Sequence, residues 1–104
     1  MPKARFLSVL VEVDSSHTDE ELKAAMNKSL DWFRLADNYY VAYSTATLDQ
    51  WRERLLPLAK PDGYFFVADL DMSQYKGFVT KSFWSWVKEM PTKHKPKPKT
   101  GDPS

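Results

Sequence analysis

Twice in this chain an apolar, strand-like run is followed within a few residues by a helix-start signature, and that repetition leaves few ways to fold. The first run, FLSVLVEV within residues 5–14, leads into Thr18-Asp19-Glu20-Glu21. There a Thr hydroxyl and a Glu three residues later can satisfy orphan backbone amides reciprocally. The second run, YYVAYST over residues 39–45, leads into Thr47-Leu48-Asp49-Gln50. That signature opens a helix expected to fray near Pro57, where the ring removes an amide donor and crowds the preceding turn.

Between the two units, Trp32-Phe33-Arg34-Leu35 and Tyr39 to Tyr43 flank the short polar break Ala36-Asp37-Asn38, which predicts an antiparallel hairpin, the competing reading being a helix 1 that extends to Leu35. Helix 1 places Leu22, Ala25, Met26 and Leu30 on one stripe. The turn Pro61-Asp62-Gly63 introduces a last strand over residues 64–70, with proline presetting φ and glycine accepting a positive one. Residues 80–90 then read as a C-terminal helix with Phe83, Trp86, Val87 and Met90 on one face, packing on an edge or on a partner. With right-handed crossovers, the expected fold is α+β, a ferredoxin-like βαββαβ domain. Its four-stranded antiparallel sheet has the order 4-1-3-2, with two helices on one face and one further C-terminal helix.

With 104 residues, 42% of them hydrophobic, the chain has material for one core. The expected domain covers residues 1–90. Residues 91–104, PTKHKPKPKTGDPS, bury too little surface to offset their ordering entropy and are expected to form a disordered Lys/Pro-rich tail. That tail holds +3 of a net charge of +1, leaving −2 for the rest, which argues against a globally basic nucleic-acid-coating domain. No apolar run reaches 18 residues and no charged-then-apolar leader opens the sequence, so a cytoplasmic protein without membrane contact is expected. Absence of cysteine removes disulfides, thiolate zinc sites and cysteine nucleophiles.

Strand alternation assigns Leu7, Val9, Val11 and Val13 to the helix-covered face, leaving Phe6, Ser8, Leu10, Glu12 and Asp14 on the other. On strand 4, Tyr64, Phe66, Ala68 and Leu70 are placed under the helices, which puts Phe65, Val67, Asp69 and Asp71 on the open face. Phe6, Leu10, Phe65 and Val67 then make that face apolar enough for a partner interface. Asp69 and Asp71 fall near Lys3 and Arg5 and read as ion-pairing residues. Asp14 lies at the opposite end of the sheet, near Gly63 and Asn38, about 20 Å away at ~3.4 Å per strand residue. A magnesium site shared by these carboxylates within one protomer is therefore ruled out. His17 reads as a loop or capping residue, since no Ser/His/Asp set is visible. Trp32, Arg34, Tyr39 and Tyr43 are candidates for stacking on bases and meeting phosphate, with core packing as the plainer use of the aromatics.

Together with the strand-ending Asp14, the Trp32-Phe33-Arg34 strand, YYVAYST, the TLDQWRERL helix and GYFFVADLD, the closing GFVTKSFWSWVK resembles small ferredoxin-like proteins of the SinR-like group. These neighbour the small CRISPR spacer-acquisition subunit in a superfamily labelled as endoribonucleases. The resemblance spans about residues 5–89. It implies a homodimer built through the open sheet face, with Asp14 matching an aspartate at the dimer axis that is linked to metal-dependent nuclease activity. The segment after Asp14 lacks the arginines and lysines usual there.

The functional expectation is a homodimeric interaction module without catalysis or cofactor of its own, binding protein or nucleic acid. An accessory or inhibitory role in a phage or bacterial defence setting fits its size and resemblance. One alternative is a nuclease in which paired Asp14 carboxylates hold Mg2+ or Mn2+, making Asp14 both the catalytic and the metal residue. Another is a nucleotide-sized ligand site at a dimer seam lined by Trp32, Tyr39 and Tyr43.

Overall fold

A computed structural model describes residues 3–73 and 75–93 of the chain. The elements are β1 (Arg5–Glu12), α1 (Asp19–Met26), β2 (Asp31–Ala36), β3 (Tyr39–Ser44), α2 (Leu48–Ala59), β4 (Tyr64–Asp69) and α3 (Lys81–Lys93). The four strands form one antiparallel sheet in the order β2-β3-β1-β4, which is 4-1-3-2 read from the other edge.

Both helix-start signatures act as caps. Thr18 accepts the amide of Glu21, but the Glu21 carboxylate bonds His17 in place of the expected return bond, whereas Thr47 with Gln50 forms a reciprocal capping box. α1 stops at Met26, so Leu30, expected on its stripe, lies past the helix and is exposed. α2 does not fray at Pro57 but continues to Ala59. Pro57 sits on the exposed side, so it forfeits one helical bond. The next residues, Leu58 and Ala59, pack into or against the core and hold the last turn. α3 runs to Lys93, three residues into the expected tail; residues 94–104 lie outside the described residues.

Two apolar layers result, one on each side of the sheet. α1 and α2 cover Leu7, Val9, Val11, Tyr40 and Ala42 with Leu22, Met26, Trp51 and Leu55. Burying each such aliphatic side chain contributes roughly 1.5–3 kcal/mol before the entropy of ordering is charged against it. On the opposite side Phe83, Val87 and Met90 of α3 close over Phe6, Val41 and Tyr43. Aromatic edges knit this second layer: Phe6 meets Trp86 at 5.7 Å between ring centroids, and Phe33 meets Phe83 at 5.2 Å. The C-terminal helix therefore packs on the sheet face expected to stay open, not on an edge.

Gly63 is demanded by space and not by a positive φ. A Cβ there would collide with the Glu12 carbonyl and come within 2.8 Å of the Ala59 oxygen and 2.9 Å of the Asp14 nitrogen. The turn before β4 thus presses against the ends of β1 and α2.

Candidate interaction surface

α3 and residues 72–73 and 75–80 cover only part of their face of the sheet. They reach Phe6, Tyr43, Val41, Phe33, Leu35, Tyr39 and Leu70. Leu10 of β1 and Tyr64 and Phe66 of β4 belong to neither apolar layer. Phe66 is 64% exposed and Tyr64 42%, while Leu10, directly opposite Phe66 in the sheet, is half-buried. Asn38 Nδ2 donates to the Tyr64 hydroxyl at 2.9 Å and fixes that ring. An aromatic strip therefore runs along the outer part of the sheet.

β4 is also a sheet edge, bonded on one side only. The Leu70 amide donates to the Phe6 carbonyl at 3.0 Å, and bonding alternates residue by residue along an antiparallel pair. Tyr64, Phe66 and Ala68 accordingly turn their backbone groups toward β1, and Phe65, Val67 and Asp69 turn theirs outward. Among the described residues nothing pairs with that outward row. Residues 64–68 carry no charge and no proline, the usual protections of an edge. The other edge, β2, also lacks proline but does carry charge. It is broken by an irregularity between Arg34 and Ala36 and carries Asp31 and Arg34, while α3 packs on its face.

The expected interface residues need correction. Phe6 is only 8% exposed and lies beneath α3. Phe65 and Val67 stand opposite Val11 and Val9, so they face the α1/α2 layer and pack against it. Of the four, Leu10 alone lies on the strip. Phe66 and Tyr64, placed under the helices by the alternation argument, are the exposed pair. A sequence signal for them existed: an uncharged run on a strand whose position in the 4-1-3-2 order makes it an edge.

The four binding candidates fall on opposite faces of the sheet. Trp32 joins the α1/α2 side, donating from Nε1 to Asn27 Oδ1 at 2.7 Å and meeting Tyr40 edge-on. Arg34 is on that side too, its guanidinium gripping both Asp19 oxygens at 3.1 and 3.2 Å, the Asp37 carbonyl at 2.7 Å, and lying over the Tyr40 ring. This pairing raises the Arg34 pKa and lowers that of Asp19. Burial raises the pKa of Tyr40. Tyr39 and Tyr43 are across the sheet, Tyr39 bonded to Ser8 Oγ at 3.0 Å and Tyr43 packed on Phe6 under α3. Within one chain, Trp32, Tyr39 and Tyr43 do not line a common seam. A cleft of about 490 Å3 does open beside Arg34, floored by Val11, Val13 and Leu22 and rimmed by Glu12 and Asp19.

Asp14 is buried at a junction of loops. Its Oδ2 accepts the Ser16 amide at 3.1 Å and the Ser16 hydroxyl at 2.5 Å, and its Oδ1 accepts the Asp62 amide at 3.1 Å. These donors hold the carboxyl below its usual range, the Ser16 hydroxyl first among them. Its own amide donates to the Leu58 carbonyl at 2.8 Å. The described residues contain no group of three or more His, Cys, Asp or Glu side chains placed to hold a metal ion. His17 bonds Glu21 through Nδ1 at 2.6 Å, at the start of α1. Arg5 Nε pairs with Asp69 at 2.8 Å as expected, and Asp71 caps its own turn through Ser73.

No described helix is long and apolar enough to cross a membrane. Comparison with family models, curated proteins and solved structures returns no match for this chain.

Proposed function

We propose that the chain is a ferredoxin-like interaction module whose work is association with another polypeptide along β4, not catalysis. The element order β1-α1-β2-β3-α2-β4 and the strand order β2-β3-β1-β4 support the fold assignment. The observation that carries the functional reading is Phe66, a large aromatic left 64% exposed within the uncharged run 64–68 of an edge strand and flanked by Leu10 and Tyr64. Contiguous apolar surface beside an open row of backbone donors and acceptors suits strand-on-strand docking, in which the backbone supplies affinity and the side chains supply selectivity. The main polar candidates already have internal uses: Asp14 ties loops and Arg34 grips Asp19.

A photo-crosslinking residue at position 66, compared with one at the exposed position 53 of α2, tests this in the source cells. The expected result is a protein adduct, identified by mass spectrometry, formed from position 66 and lost when Tyr64→Glu is added. Equal adducts from both positions, or none from position 66, would overturn the reading.

A further inference from the structure

We infer that the polypeptide docking on β4 is a second copy of the same chain, its β4 pairing antiparallel with this one about a twofold axis at Phe66. The inference rests on the interaction reading above and names its partner. With that axis, Phe65 stands opposite the partner's Val67, and Val67 opposite the partner's Phe65. These are the residues whose amides and carbonyls point outward, so the two strands can exchange four backbone hydrogen bonds with no change in either sheet.

The side chains agree with the backbone. On the uncovered face Phe66 meets the partner's Phe66 in the closer type of cross-strand pair, and each Tyr64 meets the small side chain of the partner's Ala68. The Asp69 carboxylates fall about 20 Å apart at ~3.4 Å per residue, whereas a parallel pairing in the same register would set them side by side. A strand able to lie here must be uncharged through its middle, and residues 64–68 are such a strand. Self-pairing of one patch about a twofold is the commonest way soluble proteins associate.

Light scattering and amide hydrogen exchange on the purified full chain over a wide concentration range provide the test. The expected result is a mass of two chains, with the amides of Phe65 and Val67 gaining protection as concentration rises while that of Phe66, already turned to β1, stays constant. Phe66→Glu, at an exposed position, should weaken the dimer at least about tenfold while leaving the circular dichroism unchanged, the equivalent of roughly 1.4 kcal/mol. Val67→Pro removes an outward amide and should act alike. Should Val67→Pro fail to fold, Phe66→Glu decides. A single-chain mass at the highest concentration, or a dimer indifferent to Phe66→Glu, overturns self-pairing. Crosslinking of a different protein from position 66 would then leave the broader interaction reading standing.

Discussion

The backbone amide of Asp62 donates to Oδ1 of Asp14 at 3.1 Å, joining the turn before β4 to the loop after β1 across 48 residues of chain. The other oxygen of the same carboxylate accepts two bonds from Ser16. One buried side chain thus fixes the entry to α1 and the entry to β4 together.

Because folding lowers the Asp14 pKa, the unfolded chain holds that proton more tightly in acid. The stability Asp14 confers is complete above the ordinary carboxylate value of 3.8 and drains away as pH falls below it toward the depressed folded value. Asp19 and Asp71 shift in the same direction. Asp14→Asn should lower the melting temperature at neutral pH and flatten the acid limb of the stability curve without abolishing it. Thermal melts from pH 2 to pH 7 on both proteins check this. Parallel curves would show that the carboxylate charge is not what the loops use.

Met90, 1% exposed, anchors the last buried turn of α3 over the sheet. Met90→Ala should cost about 2–5 kcal/mol in chemical denaturation. A dye that fluoresces on apolar surface should bind the variant more strongly under native conditions, since the layer over Phe6 and Tyr43 loosens before the α1/α2 layer does. A cost below about 0.5 kcal/mol, the size of an ordinary surface change, would show that α3 does not rest on the sheet.

Ser44 lies at the centre of a buried polar pair. Its hydroxyl accepts from Trp51 Nε1 at 3.2 Å and from the Ala46 amide at 3.1 Å. Ser44→Ala leaves two donors without a partner in the core and should cost about 1–3 kcal/mol. Adding Trp51→Phe removes one of those donors, so the double variant should lose less than the two single losses added together. Strict additivity in a double-mutant cycle would rule out the bond.

Gly63 and Thr47 give a contrast in scale. Thr47→Ala breaks the capping box of α2 and should cost about 1 kcal/mol. Gly63→Ala drives a methyl group into three backbone atoms of β1, α2 and the following loop, and should cost several times more. Denaturation midpoints of the two variants, measured side by side, would refute the close approach if they fell together.

The element order and the strand neighbours were readable because caps and turns are local chemistry: Thr18, Thr47 and the Asp37-Asn38 turn announce themselves within four residues. The faces of β4 were not. Tyr64, Phe65, Phe66 and Val67 are apolar at both parities, so alternation cannot choose between them, and the choice is made by pairing Val67 with Val9. The periodicity of α3 marked Phe83, Val87 and Met90 as a buried face but carries no information about what buries it. Asp14 was visible as a strand-ending acid. Its bonds to Ser16 follow the pattern of an Asx turn, a signal present in Asp14-Ser15-Ser16, whereas the tie to Asp62 is purely tertiary.

The two rims of the sheet are unlike: β2 is irregular and charged, and β4 is smooth and uncharged through its middle. Joining at the bare rim, as proposed, would consume it, and the irregular, charged rim would not offer a third member the same smooth strand. On that proposal the sheet would add one neighbour and then stop, which would separate a finite assembly from a fibre.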